Sequence, residues 1–203
     1  MEIIGRKLTN RQLKAIETKK QIRRAANALF VENDFEDVLI TDICAMAGVS
    51  VGSFYNYYKS KEDLIASYWK EFDDNIIKDG QSVLEAVDLN NIGKILALLN
   101  IQLNTEKNYR VIAQFYRLQL RKGWNTYLVE KRPLDDYILR LVDFAKENGE
   151  LDTGTSSSKI AAGIMKISRT LVFDWVLRNG SYDLYEQAKE DVLHYLTPFM
   201  PHI

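Results

Sequence analysis

Apolar residues recur along almost the whole chain at the spacing of an α-helix and nowhere at the alternation of a strand, so helices must supply the packing surfaces. Ile22, Ala25, Ala26, Leu29 and Phe30 stand at i, i+3, i+4, i+7 and i+8, one stripe of a first helix that Asn33-Asp34 interrupts. Short helices are predicted from Thr41 and from Ser50, both suited to N-capping, and a longer one from Ser60. There, Ser60-Lys61-Glu62-Asp63 has the form of a capping box, with two acids in the first turn where the helix dipole favours them. This helix carries Leu64, Tyr68, Trp69, Phe72 and Ile76 down one side and is expected to break near Asp79-Gly80. Further helices are predicted over 82–87, 91–104, 107–121, 125–147, 157–178 and 182–197, the first short enough to be the tail of its predecessor. Pro133 should kink or restart 125–147, and Asn148-Gly149 should stop it. The expected fold class is all-α.

Composition narrows the functions such a fold can serve. An apolar fraction of 46% with 27% charged residues over 203 residues suits a soluble globular chain with a sizeable core. One cysteine excludes a disulfide framework within the chain and fits a reducing cytoplasm. Both histidines fall within the last ten residues, leaving little from which to build a zinc site. The N-terminus is charged, which argues against a signal peptide, and no apolar run approaches the ~20 residues of a membrane span.

The net charge of −1 hides an asymmetry. Residues 1–24 hold eight cations (Arg6, Lys7, Arg11, Lys14, Lys19, Lys20, Arg23, Arg24) against Glu2 and Glu17, a local balance of +6 that leaves −7 for the rest. A basic N-terminal arm on an acidic body suits a polyanion approached by one end of the molecule; a frayed, solubilising terminus is the plainer alternative.

Residues 40–59 decide between them. Two short helices flank a tight turn at Gly48-Val49-Ser50, where Gly48 can take the positive φ of a sharp helix exit. Ile43, Ala47, Val49 and Phe54 can close a small core between them, and Cys44 is small enough to let the backbones approach. That is a helix-turn-helix, whose second helix, here 51–58, enters the major groove. Ser53, Asn56 and the tyrosines of that helix are uncharged polar groups able to meet bases and phosphates. Lys61 follows at a helix start, where a cation and backbone N–H groups could hold one phosphate together.

From Ala25 to Leu64 the sequence resembles the TetR family of transcriptional regulators without a gap. The matching residues are Ala-Ala-Asn-Ala-Leu-Phe from Ala25, then Phe35, then Ile43-Cys-Ala-Met-Ala-Gly-Val-Ser and Gly52-Ser-Phe-Tyr-Asn-Tyr-Tyr-Lys-Ser-Lys-Glu-Asp-Leu. Departures are few: Asp34 replaces a usual glycine, Cys44 an alanine, Tyr58 a phenylalanine, and Val51 a frequent lysine, which removes one candidate phosphate contact. Asn148-Gly149-Glu150-Leu151, Phe173-Asp174-Trp175, Asn179-Gly180 and Asp183-Leu184 follow the family's order more loosely. The resemblance implies a three-helix DNA-binding head over 1–60 and a helical effector-binding and dimerisation domain over 61–203.

It also implies site residues. The DNA-facing set is Thr41, Ser50, Val51, Gly52, Ser53, Tyr55, Asn56, Tyr57 and Lys61, with Tyr55 and Tyr57 phosphate-directed. Trp69, Phe72, Tyr109, Phe115, Tyr116, Trp124 and Tyr127 are aromatics on the helices that would enclose an effector, though an aromatic at helical spacing is more often core than pocket. Arg110, Arg117 and Arg121 could meet an anionic effector or form a solvated face. Helix 157–178 is apolar on more than one side, which calls for a second partner besides its own core, and Gly163 would permit close contact. Ile164, Leu171, Trp175, Val192 and Tyr195 are the expected dimerisation residues.

The resulting expectation is a cytoplasmic homodimer on a palindromic double-stranded DNA operator, acting as a repressor released by an unknown small-molecule effector. The alternative is a DNA-bound structural or cell-division factor on the same scaffold without an effector. No cofactor, metal ion or membrane partner is expected. An enzyme is disfavoured: Asp135-Asp136 and Glu190-Asp191 are exposed acidic pairs rather than acid–base dyads, and Cys44 reads as a packing residue.

Overall fold

The computed structural model describes residues 2–3, 6–7, 9–104, 113, 116 and 132–201, with the backbone alone at 2–3, 6–7, 69–72 and 104. It divides into two compact units, Met1–Ser67 and Tyr68–Ile203.

The first unit begins with a two-residue antiparallel ladder, β1 (Glu2–Ile3) against β2 (Arg6–Lys7), where no strand was expected. Everything after it is helical. Helix α1 (Asn10–Glu32) starts at Thr9, whose hydroxyl accepts from the Gln12 amide while the Gln12 side chain accepts from the Thr9 amide, satisfying two otherwise orphaned donors. The cations from Arg11 to Arg24 therefore stand on a capped helix, not on a frayed arm. Its inner stripe of Ile22, Ala25, Ala26 and Phe30 is buried. The Phe30 and Phe35 rings lie 5.7 Å apart, and Val38, Ile43, Cys44, Phe54, Tyr58, Leu64 and Ile65 complete the buried hydrophobic set among the described residues of this unit.

Helix α2 (Ile40–Ala47) is preceded by Leu39 as N-cap, without a side-chain bond, so Thr41 is a first-turn residue rather than a cap. Helix α3 (Val51–Tyr55) is capped by Ser50 and is shorter than the predicted 51–58, because the chain turns at Asn56-Tyr57. Helix α4 (Lys61–Glu85) runs through Asp79-Gly80 without the expected break and takes in 82–85 of the predicted 82–87 as its tail. Gly80 serves packing instead: a Cβ there would lie 3.1 Å from the Tyr137 ring. The division between units falls inside α4, at 67/68, rather than at 60/61. The first turns of α4 are tied to the first unit through Lys61, Leu64 and Ile65.

In the second unit, α5 (Asn91–Asn104), α6 (Pro133–Glu147), α7 (Ser157–Leu177) and α8 (Leu184–Leu196) surround an apolar cluster, and a 3-10 turn follows at Thr197–Phe199. Ile95, Leu98, Leu99, Ile138, Leu141 and Ile164 are fully enclosed in it. Pro133 occupies the first turn of α6, so it starts that helix rather than kinking a longer one. Gly149, at φ +73, ends it. Next to it, Glu150 reaches back to cap α5: its carboxylate accepts from the Asn91 amide (2.9 Å), the Asn91 side-chain amide (2.6 Å) and the Ile92 amide (3.0 Å). A partly buried carboxylate on the N-terminal donors of a helix satisfies both partners and opposes the dipole favourably. Of the predicted helix 107–121, the described residues Ala113 and Tyr116 are helical.

Candidate nucleic-acid interface and effector region

The turn between α2 and α3 is set by three residues. Gly48 sits in the left-handed region at φ 66, ψ 34, and the Val49 amide closes the helix end by donating to the Cys44 carbonyl at 3.0 Å. Ser50 then caps α3, its hydroxyl accepting from the Ser53 amide at 3.1 Å and pairing with the Ser53 hydroxyl at 2.9 Å. Behind the turn Ile43, Cys44 and Phe54 are buried, and Phe54 meets Tyr55 edge-on and Tyr58 obliquely, each at 5.6 Å. Burial pushes the Cys44 thiol above its ordinary pKa, away from thiolate reactivity.

Opposite that core, Thr41, Ser50, Val51, Gly52, Tyr55 and Asn56 are exposed, and Ser53 and Tyr57 are half-buried. The Lys19 ammonium lies 5.8 Å from the centre of the Tyr57 ring, which puts an α1 cation beside the end of α3. The expected DNA-facing residues of α2 and α3 thus share one end of the unit with the basic helix.

Lys61 does not belong with them. Its ammonium donates to the carbonyl oxygens of Phe35 and Val38, with that of Glu36 at 3.4 Å, and stands 4.5 Å from the centre of the Phe35 ring. Three donors meet three carbonyls, so the cation fastens the start of α4 to the turn between α1 and α2 and has none left for a phosphate. Asp63 completes that helix start by accepting from the Lys59 amide at 2.8 Å, while Ser60 accepts from the Asp63 amide at 3.2 Å.

Among the expected effector aromatics, Tyr109, Phe115, Trp124 and Tyr127 lie outside the described residues, as do Arg110, Arg117 and Arg121 and the side chains of Trp69 and Phe72. Tyr116 is described. It is buried, its ring is 6.3 Å from that of Phe173, and burial lifts its phenol to about 12 against the opposing pull of Arg169 and Arg132. Nearby polar groups are paired: Arg132 holds Asp73 at 2.6 Å, and the fully buried Ser168 donates to Gln102 at 3.0 Å. A cleft of about 430 Å³ opens beside Arg132, lined by Ile77, Arg132, Pro133, Asp136, Tyr137 and Arg140. Among the described aromatics, Tyr116 is not part of its lining.

The expected dimerisation residues need correction. Ile164 and Val192 are fully enclosed in the core of their own unit, and Trp175 is buried with its indole N–H donating to the Tyr182 carbonyl at 2.9 Å. Tyr195 fills the space that Gly163 leaves, where a Cβ would fall 2.1 Å from its hydroxyl oxygen, so the close contact made by Gly163 is internal. Leu171 is half-buried, while Phe173 and Leu177 on the same helix are 41% and 65% exposed. Among the described residues no helix is long and apolar enough to cross a membrane, and no group of three or more His, Cys, Asp or Glu could hold a metal ion.

A capped helix-turn-helix with an exposed second helix and a basic neighbour defines a DNA-binding regulator. Sequence similarity supports a TetR-family transcriptional regulator: the family model for bacterial regulatory proteins of the tetR family matches residues 22–68, from the core of α1 into α4. The fatty acid metabolism regulator protein of Bacillus subtilis is 29% identical over 181 residues, covering 81% of this chain and 86% of that protein. The fold matches a TetR transcription regulator from Haloarcula marismortui with a TM-score of 0.73 and 16% identity, over 92% of this chain and all of the other. It also matches the regulator FadR of Bacillus subtilis in complex with stearoyl-CoA, at TM-score 0.70 and 20% identity over 88% and 97% of the two chains.

Proposed function

We propose that this regulator binds a near-palindromic operator as a homodimer, represses transcription there, and is released by a long-chain acyl-CoA. The observation that carries the effector class is the reach of the similarity to the fatty acid metabolism regulator. It runs over 181 residues, far beyond the helix-turn-helix and through the body in which an effector would sit. The solved structure bound to stearoyl-CoA supplies the ligand chemistry. Buried Tyr116, with the ring of exposed Phe173 beside it and Arg132 and Arg169 close by, suits a mostly apolar site that meets a polar or anionic group at one end.

Each head has one short reading helix, too few contacts for useful specificity, so two half-sites about one helical turn apart are required. Phe173 and Leu177, with Leu171 beside them, are the α7 side chains for a second copy, replacing Ile164, Trp175 and Val192 in that role. Asn56 is the residue suited to bidentate contact with adenine, and its loss should cost about 1–3 kcal/mol and relax preference at one position. An effector with differential affinity for the free and operator-bound states, worth ~1–3 kcal/mol of coupling, would weaken operator binding about 5–150-fold.

The test is gel-shift titration of a genomically mapped operator with a series of acyl-CoAs, free coenzyme A and free fatty acids. Release by long-chain acyl-CoA alone is the expected outcome. An unchanged shift across the whole series would overturn the effector class and return the DNA-bound factor without an effector to the front.

A further inference from the structure

The start of α3 combines two features that nothing inside the protein accounts for. Gly52 stands in a helix without a positive φ, and a Cβ built on it would meet only the Ser50 hydroxyl, at 3.9 Å. A glycine inside a helix is unfavourable relative to alanine, and neither backbone strain nor internal packing calls for one here. The space it leaves faces outward. Beside it Val51 is 39% exposed, a branched apolar side chain at the first position of the helix. On the far side of the helix Phe54 is fully buried, so the outward direction of Gly52 is fixed by the core. The neighbouring hydroxyls of Ser50 and Ser53 are turned to each other, which spends one of their two protons internally.

We propose that Val51 is a specificity-determining residue that reads the C5-methyl group of a thymine in each half-site, with Gly52 letting the helix approach closely enough for contact. This inference rests on the DNA-binding reading above. Valine can neither donate nor accept a hydrogen bond, and placed against a base-edge nitrogen or oxygen it would leave that group unpaired. The thymine methyl is the apolar feature of the standard major-groove code, so an apolar side chain at the groove face selects thymine over cytosine. Tyr55, one turn later and 55% exposed, lies on the same flank and is the competing source of such a contact.

The experiment uses the full-length protein and duplexes selected from a random library. In the selected half-site each thymine is replaced in turn by uracil, which removes only the methyl group. For the unaltered protein, uracil at one thymine position should weaken binding about fourfold per half-site, the value of one buried methyl. For Val51→Ala that same substitution should change nothing, and Tyr55→Ala, which removes the competing ring, should leave the uracil effect intact. Because Val51 is exposed, Val51→Ala should fold normally, which thermal unfolding checks. Should no uracil position weaken binding, or should the effect persist in Val51→Ala, the inference is overturned while the DNA-binding reading stands. If the library yields no preferred duplex at all, the DNA-binding reading falls and this inference with it.

Discussion

In the first unit, Met1–Ser67, a few polar side chains fix the geometry: Thr9, Ser50 and Lys61 each hold a helix end or a loop by hydrogen bonds. In the second, Tyr68–Ile203, an apolar cluster drawn from α4, α5, α6, α7 and α8 bears most of the packing, and polar pairs such as Ser168–Gln102 are embedded in it. On the proposed function, the contrast follows from what each unit does. A surface that docks on DNA must place particular side chains to within a fraction of an ångström, which directional bonds do well. A body that admits a ligand needs apolar area that can repack, and non-directional burial supplies that.

The contrast can be broken at its largest effect by truncating one core side chain in each unit. Phe54→Ala should cost about 3–5 kcal/mol and Ile138→Ala about 2–5 kcal/mol, in line with large-to-small core substitutions. Hydrogen exchange should show the loss of protection concentrated in α1–α3 for the first and in α5–α8 for the second. Equal loss across both units for either variant would mean that they do not differ as described. Glu150→Ala should cost about 2–3 kcal/mol, because it strands three donors at the start of α5. If the Asn91 and Ile92 amides stayed protected, the polar bond would be incidental to the body.

Lys61→Met should destabilise the first unit by about 2 kcal/mol, the value of charge-assisted hydrogen bonds. Operator affinity measured against salt should keep its slope. A slope shallower by about one would restore the phosphate contact expected from the sequence. The smallest effect belongs to Ser50→Ala, about 1 kcal/mol of cap energy, read as a shift in the urea midpoint. An unmoved midpoint there would remove capping from the account of the reading helix.

Residues whose role depends on one local geometry are legible in the sequence itself. Gly48 announces a left-handed helix exit and Ser50 a cap, and both stand where the sequence puts them, because neither depends on distant partners. Lys61 could not be read in this way. A lysine in a first helical turn suits a phosphate and a cluster of carbonyls equally, and the deciding partners, Phe35 and Val38, lie 26 and 23 residues away. Gly80 looks like a break until Tyr137 is seen against it. For Ile164 and Val192 the pattern reveals apolar faces but not which of them meets the unit's own core. The exposed pair Phe173 and Leu177 belongs to the same apolar run, and relative burial alone separates the two groups.

The carboxylate of Glu150 caps a helix that precedes it by 58 to 59 residues. During synthesis α5 therefore leaves the ribosome with its N-terminal amides unmatched, and they find their acceptor only after α6 has followed. Helices shorter than about 12–15 residues are marginal in water on their own, and α5 spans Asn91–Asn104. Its formation is thus deferred until the chain beyond Gly149 is available, which makes the body a late, collective event in the life of the nascent protein. A nascent chain halted before α6 would present Ile92, Ile95, Leu98 and Leu99 without the Ile138 and Leu141 side chains that cover them in the folded body.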